Sequence, residues 1–201
     1  MILTNMQSFL GAFAVVLGFV SYVPYFRGIL AGKTKPHAFS WLVWSMVNAI
    51  AFFAQVSSGG GAGAWVTGFT TLACAAVTMA AMRNGWSHIT RMDWVFFAGS
   101  LAALALWLVT KDPLGSVILV TIIDILAFVP TLRKSYHKPD EESASLYALS
   151  AVKFAISLAA LSALTLTTVL YPLSLVVTNG LFAALILWRR NQFKAEITQP
   201  F

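Results

Sequence analysis

Residues 23–44 read "VPYFRGILAGKTKPHAFSWLVW", and residues 129–149 read "VPTLRKSYHKPDEESASLYAL". Each stretch is a polar interruption between two long apolar runs, and each opens with the same spacing. Val23-Pro24-x-x-Arg27 matches Val129-Pro130-x-x-Arg133 at an offset of 106. Past the loops, Ser40-Trp41-Leu42-Val43-Trp44-Ser45 aligns with Ser145-Leu146-Tyr147-Ala148-Leu149-Ser150 at an offset of 105. Further on, Arg83-Asn84 aligns with Arg190-Asn191 at an offset of 107. A near-constant offset at three separated places implies that one unit of about half the chain is used twice.

The composition says what kind of unit it is. The 201 residues are 59% hydrophobic and 10% charged, with a mean hydropathy of +0.79. Soluble domains carry roughly 25% charged residues. Long apolar stretches with few charges read instead as membrane-crossing helices. The net charge of +6 does not point to nucleic acid, because the cations sit at the ends of apolar segments. Cys74 is a lone cysteine in an apolar run, so disulfides do not hold the fold. The N-terminal segment has no basic leader region and reads as a retained helix.

Charges and turn residues divide the chain into seven expected spans, at residues 6–26, 40–56, 64–82, 94–110, 116–132, 146–166 and 171–188. The "SSGGGAG" between the second and third is a turn signal. The repeat makes helices 1–3 equivalent to helices 5–7, with helix 4 as linker. The expected divisions are a first three-helix repeat at 1–85, a linker at 86–112, a second repeat at 113–190 and a cytoplasmic tail at 191–201. One intervening helix restores the chain direction, so the two units are parallel, and a substrate site is expected where they face each other near mid-membrane.

Lys and Arg set the orientation. Arg27, Lys33 and Lys35 follow helix 1, Arg83 and Arg91 follow helix 3, Arg133, Lys134 and Lys138 follow helix 5, and Arg189, Arg190 and Lys194 follow helix 7. The alternate connections hold only Lys111. The expected topology is N-terminus outside and C-terminus cytoplasmic, in the plasma (inner) membrane.

Three plus one plus three helices, an outside N-terminus and the prolines of "VPYFRGILAGKTKPHAFSW" and its second copy resemble the SWEET and PQ-loop superfamily. The family's proline–glutamine pair reads Pro24-Tyr25 and Pro130-Thr131 here. The "WLVW" of helix 2 is similar to the tryptophan pair of the PnuC vitamin transporters, a more distant resemblance on the same fold. Together these imply a transporter, a uniporter or a proton-coupled one, that moves a small polar solute such as a sugar, amino acid or vitamin by alternating access. The alternative is a ligand receptor or sorting protein on the same fold. An enzyme is not expected: His37, His88 and His137 fall in loops without metal spacing, and no nucleophile motif is present. No cofactor, metal or nucleic acid is expected. The partners are a small-molecule substrate and membrane lipid, with the chain a monomer or small homo-oligomer.

The candidate cavity residues are polar or aromatic positions on inward faces: Trp44, Asn48, Thr71, Cys74, Asp124, Ser150, Lys153 and Asn179. On helix 2, Trp41, Trp44, Ser45, Asn48, Phe52 and Gln55 share one face by their spacing. At the 105 offset Lys153 stands opposite Asn48. Ser and Thr here can equally be glue between helices, and Trp41 a member of the interfacial aromatic belt. Asp124 and Lys153 resist both accounts, because a charge at mid-membrane costs roughly 2.5–3.5 kcal/mol or more. Asp124 lies about 13 Å along its helix from Arg133, and Lys153 about 12 Å from Ser145. The expectation is an ion pair or water-bridged pair beside the cavity, acting as a helix lock, a substrate contact or an ion-coupling site. Pro24 and Pro130 either hinge an inner gate or end their helices.

Overall fold

A computed structural model describes residues 2–82 and 91–198, without the side chains of residues 2–4, 93, 96, 107, 130 and 194–198. The chain is all-helical, with no strand among the described residues. Its α-helices are α1 (Ile2–Leu30), α2 (Ala38–Ser57), α3 (Trp65–Met82), α4 (Arg91–Thr110), α5 (Pro113–His137), α6 (Ala144–Ala159) and α7 (Leu166–Thr198). Five stretches are long and apolar enough to cross a membrane: Asn5–Leu30, Ala38–Ser57, Gly61–Met82, Pro113–His137 and Leu166–Phe193. The sixth expected span falls short of the roughly 20 residues required, since α6 has 16 residues. α4 has 20 residues, with an apolar run at Phe97–Thr110 among the described ones.

Local chemistry explains the boundaries. α1 continues through Pro24 and ends before Gly32, whose φ of +68° closes the helix in a left-handed turn. Pro24 therefore does not end its helix, and Pro130 likewise lies within the range of α5, its side chain outside the described residues. Asp112 caps α5 by accepting from the backbone N–H groups of Leu114 and Gly115, with Pro113 in the first turn. The expected break near residue 171 lies earlier. Thr165 Oγ1 accepts from Thr168 N, and Thr168 Oγ1 from Thr165 N. That reciprocal cap starts α7 at Leu166, and the span expected at 146–166 ends at Ala159, where the Ala160 N–H closes the last turn of α6. α7 also runs on through much of the expected tail.

His37 caps α2 and Ser143 caps α6, each accepting from the N–H three residues on. These caps stand 106 positions apart, so the offset of the first loop persists into the following helices. The 105 alignment is corrected accordingly: Trp41 stands with Tyr147, Trp44 with Ser150, and Lys153 with Val47 rather than Asn48. The third sequence match cannot be placed in the same way, since Arg83 and Asn84, like His88, lie outside the described residues.

Packing follows one scheme in both halves. α3 lies against α1 and α2, and α7 against α5 and α6. Across the centre α1 packs on α6 and α2 on α5, while α4 rests on α5 and α2. The inner faces hold a continuous core that includes Tyr25, Val47, Phe154, Tyr171 and Phe182. The outer faces are apolar as well. On α1, Phe9, Phe13, Val16 and Val20 form an exposed stripe at helical spacing. Polar groups turned inward and large apolar ones outward are what lipid solvation selects, and the chain is consistent with an integral membrane protein.

Candidate functional site

The inner faces do not close completely. A small cavity of about 40 Å³ lies at the centre of the bundle. α1 contributes Tyr22; α2 contributes Trp41, Trp44 and Asn48; α3 contributes Thr70 and Cys74. From the other half come Asp124 and Phe128 of α5, Leu146, Tyr147, Ser150 and Phe154 of α6, and Leu175 and Asn179 of α7. Of the eight cavity candidates, Trp44, Asn48, Cys74, Asp124, Ser150 and Asn179 thus meet around one space. Their convergence follows from helical periodicity: Trp41, Trp44 and Asn48 fall on one stripe, as do Ser150 and Phe154.

Thr71 lies elsewhere. Its hydroxyl donates to Thr67 O and its carbonyl accepts from Ser45 Oγ, tying α3 to α2, and it borders an outer groove with Phe52, Phe53 and Leu72. Several neighbouring hydroxyls are likewise spent on their own helices, with Thr70, Thr78 and Thr178 each donating to the carbonyl four residues back.

Lys153 and Asp124 form no direct ion pair, which corrects that half of the sequence expectation. α5 and α6 do not pack along one another; each packs on α7 and on a helix of the other half. Lys153 is fully buried; its Nζ donates to Thr70 Oγ1 at 3.0 Å. The ammonium lies 5.1 Å from the Tyr22 ring centre, 5.7 Å from Phe69 and 5.0 Å from Phe154. Cation–π attraction and one hydroxyl therefore hold it. Asp124 accepts from Tyr171 Oη at 3.1 Å through Oδ1, and its Oδ2 has no hydrogen-bond partner.

Two further cavity atoms share that condition. Asn48 and Asn179 each donate Nδ2 to the carbonyl four residues back, Trp44 O and Leu175 O. Asn48 Oδ1 is then left buried and unpartnered, as is Trp44 Nε1. Buried polar groups are nearly always hydrogen-bonded. Three unpartnered ones, two acceptors and a donor, thus belong to residues that line one cavity.

Both ends of the cavity are covered. At the end where α1 meets α2, an aromatic layer links the halves: Trp44 and Phe128 ring centres are 4.7 Å apart, and Tyr147 and Phe182 are 4.4 Å apart. Beyond it lies a polar knot around Glu142, which is buried. Glu142 accepts from Lys134 Nζ at 2.7 Å, Tyr25 Oη at 3.4 Å and Tyr147 Oη at 3.5 Å. Arg190 donates to the carbonyls of Glu142 and Pro139. Burial raises the Glu142 carboxyl above the usual 4.5, with the Lys134 charge acting against the shift. The half-buried Glu141 is instead lowered, by the hydrogen bond from Lys35.

The opposite end closes through backbone. Ser162 N donates to Gly60 O, Ser157 Oγ to Gly63 O, and Gln55 Nε2 to Thr168 O. Gln7 joins this end by donating to Leu161 O and accepting from Ser162 Oγ. The "SSGGGAG" is thus more than a turn. Gly61 has a φ of +60°, and a Cβ on Gly63 would stand 2.6 Å from Leu161 Cδ2.

Glu142, Tyr171 and the aromatic lining of α5 and α6 were not singled out by sequence reasoning. Glu142 sits in an acidic run inside a basic loop, a signal that was available. Tyr171 carried none beyond its place in an apolar segment. No group of three or more His, Cys, Asp or Glu able to hold a metal occurs among the described residues. Comparison with family models, curated proteins and solved structures returns no match.

Proposed function

We propose that the chain is a membrane transporter that carries a small polar solute through the central cavity by alternating access. In this reading the halves are two parallel three-helix repeats joined by α4, giving seven spans in the 3+1+3 order that resembles the SWEET and PQ-loop superfamily. The N-terminus is outside, and the Glu142 knot faces the cytoplasm of the plasma (inner) membrane. The observation that carries the proposal is the cavity itself: one space between the halves, lined by residues with unpartnered polar atoms and with separate non-covalent contacts between the halves at each end. Hydrogen bonds, ring contacts and ion pairs can open without breaking the helices. Opening one end while the other stays shut is the movement that alternating access requires. Hinge bending near Pro24, inside α1, gives the cytoplasmic end a place to flex.

The test is uptake. Purified protein in liposomes, supplied with labelled sugars, amino acids, amines and vitamins, is expected to accumulate one class saturably, with or without a proton gradient. Trp44→Ala is expected to abolish that uptake. A solute that binds tightly but never crosses would replace the transporter with a receptor on the same cavity.

A further inference from the structure

We infer that the solute is an organic cation, its ammonium group seated between the Asp124 carboxylate and the aromatic wall of the cavity. This deepens the transporter reading and rests on the central cavity being the solute site.

Among the residues that line the cavity, Asp124 alone carries a charge. Its carboxylate is 1% exposed, and the lone hydrogen bond it receives comes from a neutral tyrosine. A carboxylate at this depth without a cation beside it is unfavourable, and a bound cation relieves that directly. The nearest rival, Lys153, is held away from the space by Thr70 and three rings and is not part of the lining. It therefore neither neutralises Asp124 by contact nor offers a docking point for an anion.

The other wall groups suit the same guest. Asn48 Oδ1 is a second free acceptor, so an N–H or polarised C–H of a substituted ammonium meets two oxygens. Trp41, Trp44, Phe128 and Tyr147 supply the π faces that attract ammonium groups, each worth roughly 0.5–2 kcal/mol when desolvated. Trp44 Nε1 offers a donor for a hydroxyl or carbonyl elsewhere on the molecule. A neutral solute would leave Asp124 uncompensated, and an anion would meet its charge head-on.

The experiment uses an isosteric pair. Choline and its uncharged carbon analogue 3,3-dimethylbutan-1-ol are titrated into the detergent-purified full chain, with ethanolamine, glucose and acetate alongside. Thermal unfolding and calorimetry report binding. Choline or ethanolamine is expected to bind at least tenfold more tightly than the neutral analogue, and Asp124→Asn to remove that preference. Equal affinity for choline and its analogue overturns the inference without reference to any variant. So does binding confined to glucose or acetate, or no binding by either amine. The two readings fail separately in liposomes. Glucose uptake without cation binding leaves a transporter and removes the cation; cation binding without uptake leaves the cation site and removes the transporter.

Discussion

Lys35 and Glu141 lie 106 residues apart, the offset of the internal repeat, and they bond to each other twice. The side chains meet at 2.9 Å and the Lys35 backbone N–H donates to the Glu141 carbonyl. These bonds join the loop after α1 to the loop after α5. The exposed ion pair contributes little energy, typically 0–1 kcal/mol. Next to it Lys134 bonds both Lys35 O and the buried Glu142, making this end of the cavity one connected network.

Glu142 is the member whose loss is expected to matter most. Glu142→Ala would leave Lys134 without its carboxylate and two buried tyrosine hydroxyls without acceptors. Breaking a buried pair costs about 3–5 kcal/mol. Glu142→Gln keeps an acceptor for the tyrosines and should lose less. Thermal unfolding of both variants in detergent gives the ranking, and an alanine variant as stable as the parent would contradict it.

Stability should also respond to pH in two separate windows. The folded Glu142 holds its proton to higher pH than the unfolded chain, because its value is raised above 4.5. Stability from this group is therefore complete below 4.5 and falls as pH rises through the raised value. Glu141 is lowered, so its contribution is present above 4.5 and is lost as pH falls through its own value. Melting curves across pH should show the upper slope vanish in Glu142→Gln and the lower slope vanish in Glu141→Gln.

At the opposite end, Gly63→Ala would drive a methyl group into Leu161. The neighbouring backbone is tied across the halves by Ser157 and Ser162, so relief requires the halves to part. Overpacking of this kind costs about 1–3 kcal/mol. The expected result is a lower melting temperature together with faster alkylation of a cysteine placed at Ser162.

Lys153→Met should do the reverse. A lysine at mid-membrane costs roughly 2.5–3.5 kcal/mol, against about 2 kcal/mol from the rings around it. Replacement by a flexible apolar side chain of similar length is expected to gain on the order of 1 kcal/mol. A melting temperature clearly below that of the parent would show that Lys153 is anchored by more than Thr70 and three rings.

Much of the site was legible because period and polarity are local properties. Trp44, Asn48 and Asn179 are inward residues on apolar helices, and a polar group in such a helix has few places to go but the interior. The errors arose where meaning depends on a neighbour. Asp124 and Lys153 are on consecutive helices, yet Asp124 bonds Tyr171 of α7 and Lys153 bonds Thr70 of α3, so their shared depth did not become an ion pair. Thr71 fell one position off the inward stripe of Thr70 and Cys74. Apolar composition continues past Ala159, whereas α6 ends there with Ala160 closing its last turn, and the Thr165–Thr168 pair starts α7.

The all-helical, apolar character of the chain and the identities of most inward polar residues are readable from the sequence alone. These follow from transfer energies and helical period, which act on each segment alone. Only the tertiary structure decided which charges find partners, that Glu142 anchors one end, and that the glycines of "SSGGGAG" let the halves touch at the other. Those outcomes depend on distances between segments far apart in the chain, and no periodicity within a segment encodes them.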